Sequence, residues 1–189
     1  MANINEMTTG LKYQIGQFLT HIKSTYTSAA DDVTVANVWY AEPFDPTNED
    51  SLKSLIAANN YGFVISNVVC APSNGTPIRY VRNEYSAEIH VIRRTLQSKD
   101  ITNKTNLVLQ GGSDGASADI TSMSKICGDM CKWFSTQSQG GKLTDSGSTV
   151  RALASKISAI GELQNTGSFY FKTLSFEALS MESTTISAS

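Results

Sequence analysis

Residues Tyr80 to Arg94, read as YVRNEYSAEIHVIRR, alternate in character along their whole length. Val81, Tyr85, Ala87, Ile89 and Val91 fall on one phase, and Arg82, Glu84, Ser86, Glu88, His90 and Arg94 fall on the other. Successive side chains on a strand point to opposite faces, so the run predicts one long strand with an apolar face and an ionic face. Helical patterns lie on both sides of it in the chain. An α+β fold centred on this strand is therefore expected.

The elements around it follow from spacing. Ile4, Met7, Leu11, Ile15, Phe18, Ile22 and Tyr26 recur every three or four residues, which predicts an amphipathic helix over 4–26. Residues 33–40, VTVANVWY, are rich in β-branched and aromatic side chains and read as a strand, with a phase shift that predicts a bulge near Asn37. Pro43 and Pro46 end that strand. Thr47 to Asp50 carry a helix-start signal, and a short helix is expected over 50–59. Residues 61–70 read as a mostly buried strand. Asn74-Gly75 is a hairpin signal that makes this strand the antiparallel neighbour of the long one, taken as 78–95.

Ile120, Met123, Cys127, Met130 and Phe134 predict a second main helix over 118–136, capped by Ser117 and stopped by Gly140-Gly141. The segments 96–117 and 139–156 read as long loops, the second with helical spacing at Val150, Leu153, Ala154 and Ile157 that suits a short helix. Residues 155–163 equally begin a strand. A closing hairpin of 157–164 with 169–179 is expected across the turn at 165–167, followed by a polar tail over 180–189. The expectation is one α+β domain over 1–189. Its mostly antiparallel sheet has four to five strands, and its two main amphipathic helices pack on one face.

Charge and cysteine usage narrow the function classes. The chain has 189 residues, with 15 basic and 17 acidic side chains and a net charge of −2. A nucleic-acid binder carries a basic stripe to neutralise phosphates; here the basic residues near Arg93-Arg94 read as a solvated strand face. The three cysteines, Cys70, Cys127 and Cys131, are a poor disulfide framework and read as small buried hydrophobes in a reduced compartment. No apolar run approaches the roughly 18 residues that a membrane span needs. The first residues lack the basic start and apolar core of a signal peptide.

Catalytic signatures are scarce. Glu88 and His90 share a strand face and are compatible with a general-base dyad, though two polar groups on a wet face is the default reading. Gly111 to Gly115 lacks the lysine of a phosphate loop, and Asp45, Asn48, Glu49 and Asp50 lack EF-hand spacing. No catalytic, metal or cofactor residue is assigned. Arg82, Glu84, Glu88, His90 and Arg94 are assigned to an oligomer or channel face, because alternating signs suit subunit contacts.

The order helix, strand, short helix, strand, long strand, loop, helix, closing hairpin resembles the tail terminator family of tailed bacteriophages, over residues 4–179. The family has no diagnostic motif, so the resemblance is architectural, and the segments 96–117 and 140–156 are longer than a minimal member needs. It implies a structural virion protein, made in the host bacterial cytoplasm, that forms a six-fold homo-oligomeric ring capping the tail tube. Its partners would be the tail tube protein and a neck or connector protein. DNA would pass through without sequence-specific binding, and no membrane or cofactor would be involved. A tail tube or neck connector protein is the alternative within the same class, and a small hydrolase-like enzyme using Glu88 and His90 is the alternative outside it.

Overall fold

In the computed structural model, the described residues are 4–25, 37–57, 61–72, 80–94, 123–137, 150–166 and 168–183. Among them are α1 (Ile4–Thr25), β1 (Val38–Tyr40), α2 (Glu49–Ile56), β2 (Tyr61–Pro72), β3 (Tyr80–Arg94), α3 (Met123–Gln137), β4 (Val150–Ile160), β5 (Gln164–Asn165) and β6 (Phe169–Ser183). The sheet order is β1-β2-β3-β6-β4, with the two-residue β5 beside β6. The fold is α+β.

The expected alternation of the long strand sets the frame. β3 pairs antiparallel with β6 from Tyr80↔Ser183 to Arg94↔Phe169 without a slip, and with β2 from Tyr61↔Arg93 to Pro72↔Asn83. Tyr85, Ala87, Ile89 and Val91 on β3 and Leu174, Phe176 and Ala178 on β6 are buried on one face. Two amphipathic helices cover that face. α1 contributes Met7, Leu11, Ile15, Phe18, Leu19 and Ile22, and α3 contributes Ile126, Cys127, Met130 and Phe134. Phe134 meets Phe176 edge-on at 5.3 Å, and Trp133 joins the helices by packing on Phe18 and stacking on His21.

Four expectations need refinement or correction. First, the sheet is mostly antiparallel but includes one parallel pair, β1 with β2. A parallel pair needs a crossover connection, and α2 supplies it. Second, α2 packs on the opposite face, so the ionic face of β3 is not bare along its length. Leu52 and Ile56 form a second core with Val64, Ile92, Phe169 and Phe171, bordered by Trp39, Phe44 and Leu55. Third, the segment read as loop or short helix before residue 157 is strand from Val150, and its pairing with β6 starts at Val150↔Glu182. Two register shifts, at Ala152/Ala154 and Ile157/Ala159, interrupt the apolar alternation that marks a strand. The closing hairpin is thus longer than expected, and its connection holds β5. Fourth, β6 runs on to Ser183, into what reads as polar tail.

Asn37 lies just ahead of β1, and its Nδ2 donates to the Tyr61 carbonyl; the residues before it, where the expected bulge would begin, lie outside the described residues. The Asn74-Gly75 turn, the segment 96–117, the Ser117 cap, residues 139–149 and 184–189, and the start of the first predicted strand lie outside the described residues.

α2 begins where the sequence places its start signal. The Asn48 side-chain oxygen accepts from the backbone N–H groups of Asp50 and Ser51, each at 3.1 Å, and so satisfies two orphan donors of the first turn. Below α2 the backbone of β2 carries Gly62. A Cβ at this position would lie 2.7 Å from the Trp39 ring and 2.9 Å from Ile56 Cγ1. The close seat of α2 on the sheet therefore depends on glycine. Gly62→Ala is expected to lower stability by about 1–3 kcal/mol through overpacking. Urea unfolding checks this, with a lower midpoint at an unchanged slope as the outcome.

Candidate functional site

The register of β2, β3, β6 and β4 divides the face opposite α1 and α3 into three zones. Under α2 lies the second apolar core. In the middle, Ser66, Glu88, His90 and Thr173 meet from three adjacent strands, since Ser66 pairs with Glu88 and His90 with Thr173. Beyond them the face is open, with Val69 and Ala71 from β2, Arg82, Glu84 and Ser86 from β3, and Lys156 and Glu177 from the β4–β6 pair.

The middle zone is a polar knot, buried at Ser66 and His90 and half-exposed at Thr173 and Glu88. His90 is 2% exposed and Ser66 is 0% exposed. Ser66 Oγ lies 2.7 Å from His90 Nε2, and Thr173 Oγ1 lies 2.9 Å from His90 Nδ1. A neutral imidazole has one donor and one acceptor nitrogen, and two hydroxyls can serve both. The Phe44 ring covers the imidazole with centroids 5.0 Å apart. Burial lowers the His90 pKa, against the opposing pull of the Glu88 carboxylate, whose Oε2 lies 3.5 Å from Nε2. At neutral pH the ring is uncharged.

A bulge in β2 borders the knot. The register shifts between Ser66 and Val69, and Asn67 takes φ 52°, a left-handed conformation that asparagine tolerates better than most residues. Both sides of the bulge are tied down. Asn67 Nδ2 donates to Glu88 Oε2 at 2.9 Å, and the Val68 N–H donates to Glu42 Oε1 at 2.8 Å. Tyr40 Oη donates in turn to Glu42 Oε2 at 2.7 Å, and this bond is the main cause of the raised Tyr40 pKa. The extra residue re-phases the strand, so Val68 is buried with the main core while Val69 is 56% exposed on the open zone.

A broad groove of about 730 Å³ at this end of the sheet is lined on the open face by Val69, Ala71, Arg82, Glu84, Lys156 and Glu177, and it also takes in Tyr85, Ala178 and Ser135 of α3 from the helix-covered side. Lys156 pairs with Glu177 at 3.2 Å, and Ser158 and Lys156 hold the Glu177 carboxyl below its usual pKa. Among the described residues Arg82 and Glu84 make no ion pair. The lining carries both signs in equal number.

The five residues assigned to one face by alternation therefore divide among three surroundings. Arg82 and Glu84 are exposed in the groove, and Glu88 borders it. His90 is buried, which corrects its expected place on a wet face; Phe44 and the α2 crossover close over it. Arg94 lies at the far end, exposed, with its guanidinium 5.9 Å from the centroid of the Phe169 ring and bonded to the Ala57 carbonyl. Glu88 and His90 do approach each other, but the imidazole faces hydroxyls and a phenyl ring rather than solvent, while Glu88 is half-exposed. Ser66, Thr173, Asn67, Glu42 and Phe44 escape the sequence reading. They come from separate elements, and no spacing links them.

Cys127 is buried on α3, and burial pushes its thiol up to about 12; partial burial raises Cys131 as well. Neither is a thiolate nucleophile at neutral pH. Among the described residues no three His, Cys, Asp or Glu side chains cluster as metal ligands, and no helix is long and apolar enough to cross a membrane. No known family matches the chain, and no curated protein matches it.

Removing one hydroxyl from the knot leaves a buried imidazole nitrogen without its partner. Thr173→Val, nearly the same shape, is expected to cost about 1–3 kcal/mol, measured by thermal or urea unfolding at pH 7. An unchanged stability contradicts a structural role for the His90–Thr173 contact.

Proposed function

We propose that this chain is a structural assembly protein of the phage-tail terminator type. It closes into a homo-oligomeric ring, six-fold by the family resemblance, that caps a tail tube and meets a neck or connector protein. The observation that carries this reading is the open zone of the sheet. Exposed Arg82 and Glu84 stand beside exposed Val69, with Ala71, Ser86 and Ala154 in the same groove, while the apolar stripes of both long helices face the other side. Mixed charge over an apolar floor suits contact with another protein surface, where complementary charges fix register. A balanced net charge of −2 also suits a ring that lets DNA pass without gripping its phosphates. The reading makes the virion the working location.

Negative-stain electron microscopy of the purified protein tests this proposal, and closed rings are the expected result. A monodisperse monomer in solution and in assembled particles overturns it. The double substitution Arg82→Ala, Glu84→Ala is expected to weaken self-association about tenfold, or about 1.4 kcal/mol. Analytical ultracentrifugation reads this, with the melting temperature little changed.

A further inference from the structure

The polar knot sits beneath a cap that a single crossover connection builds. The connector 41–48 and α2 lie over the far half of the sheet, and the cap touches the knot at Phe44. Apart from its apolar seat, the cap is held by polar ties. Glu42 accepts from the Val68 N–H in the bulge, and Glu49 on α2 accepts from the Ser168 hydroxyl, which with Lys53 holds the Glu49 carboxyl below its usual pKa.

We infer that His90 is the bolt of an acid-sensitive latch: proton uptake on its imidazole releases the cap of residues 41–56 from the sheet while the face covered by α1 and α3 stays folded. The geometry supplies the reason. A protonated imidazole has two donors, so Ser66 and Thr173 must both accept, and the hydroxyl that donated to the neutral ring must find another acceptor beside a buried charge, with Ser66 fully buried and Thr173 half-buried. Contacts place Ser66, Glu88, Thr173 and Phe44 against the ring, and register places Val64, Ile92 and Phe171 beside it on the same face. α2 turns Leu52 and Ile56 inward, while Lys53 is exposed beside Glu49 and Asp50. Among the described residues Glu88 is therefore the carboxylate within reach of the new charge. It is half-exposed and already accepts from Asn67. Water reaches the ring most readily if Phe44 lifts, and the parting apolar surfaces of Phe169 and Phe171 then face solvent.

The sign is fixed by linkage. Burial holds the closed-state pKa of His90 below its ordinary value, while the open state titrates normally. Below about pH 6.5 the open state binds a proton that the closed state does not, so opening grows about tenfold per pH unit until the closed state titrates too. The latch is an intramolecular device and does not depend on ring formation.

Hydrogen exchange on the full chain, expressed as protection factors between pH 7 and pH 5, tests it. Protection of the Ala41 and Val68 amides and of the α2 amides is expected to fall by up to about 20-fold, while the α1 amides keep theirs. His90→Gln, which can still bridge two hydroxyls but does not titrate, is expected to flatten the dependence. Equal loss of protection in α1, or an unchanged slope in His90→Gln, overturns the proposal. If that variant fails to fold, NMR titration of the wild-type imidazole decides. A closed-state midpoint well below 6.5 that moves with α2 exchange supports the latch. A midpoint near 6.5 with α2 still protected overturns it.

Discussion

The unbroken antiparallel ladder between β3 and β6 is the constraint on which the rest of the molecule depends. Each strand is 15 residues long, and every position of β3 has a partner on β6. With no slip in that ladder, parity alone decides which side of the sheet each residue faces. Odd positions of β3 and even positions of β6 belong to the side of α1 and α3, and the opposite parity belongs to the side of α2 and the groove. The slips that do occur lie in the flanking strands β2 and β4, where they adjust local shape without disturbing the central pair.

Several elements follow directly from residue pattern because their causes are local. The apolar spacing of α1 is a single stripe with a single destination. The Asn48 cap is a short-range hydrogen bond that the residue type announces. The pairing of β2 with β3 is read from a turn signal, although that turn lies outside the described residues, and the register confirms the pairing itself. β4 does not announce itself in local pattern. Its sequence, VRALASKISAI, contains alanine, leucine and lysine that favour helix, and its two bulges break the alternation. The free side of β6 decides the matter by offering hydrogen-bond partners, a non-local effect that local preference does not register.

His90 illustrates a different limit. Alternation correctly places it with Arg82 and Glu84 on one phase, but phase does not reveal what lies above a sheet. The covering layer comes from a crossover some fifty residues earlier in the chain, and it reaches just far enough to bury the imidazole and stop. The result is a face of two characters. One end is a second small core with aromatic rings, the other is an open groove of mixed charge and small apolar side chains, and the Ser66–His90–Thr173 contacts mark the boundary. The groove residues proposed for assembly and the knot proposed as a latch are thus neighbours on the same strand with different solvent access.

The bulge at Asn67 has a further mechanical effect. Two residues of β2 stand where one would continue the ladder, so the portions of that strand before and after it keep independent phases. The portion seated under α2 is fixed by its fit around Gly62, and the portion bordering the groove is fixed by its pairing with β3 from Val69↔Ser86 to Pro72↔Asn83. The bulge acts as a parity switch: even positions before it and odd positions after it face the same side of the sheet, so Val64 joins the core under α2 while Val69 reaches the groove.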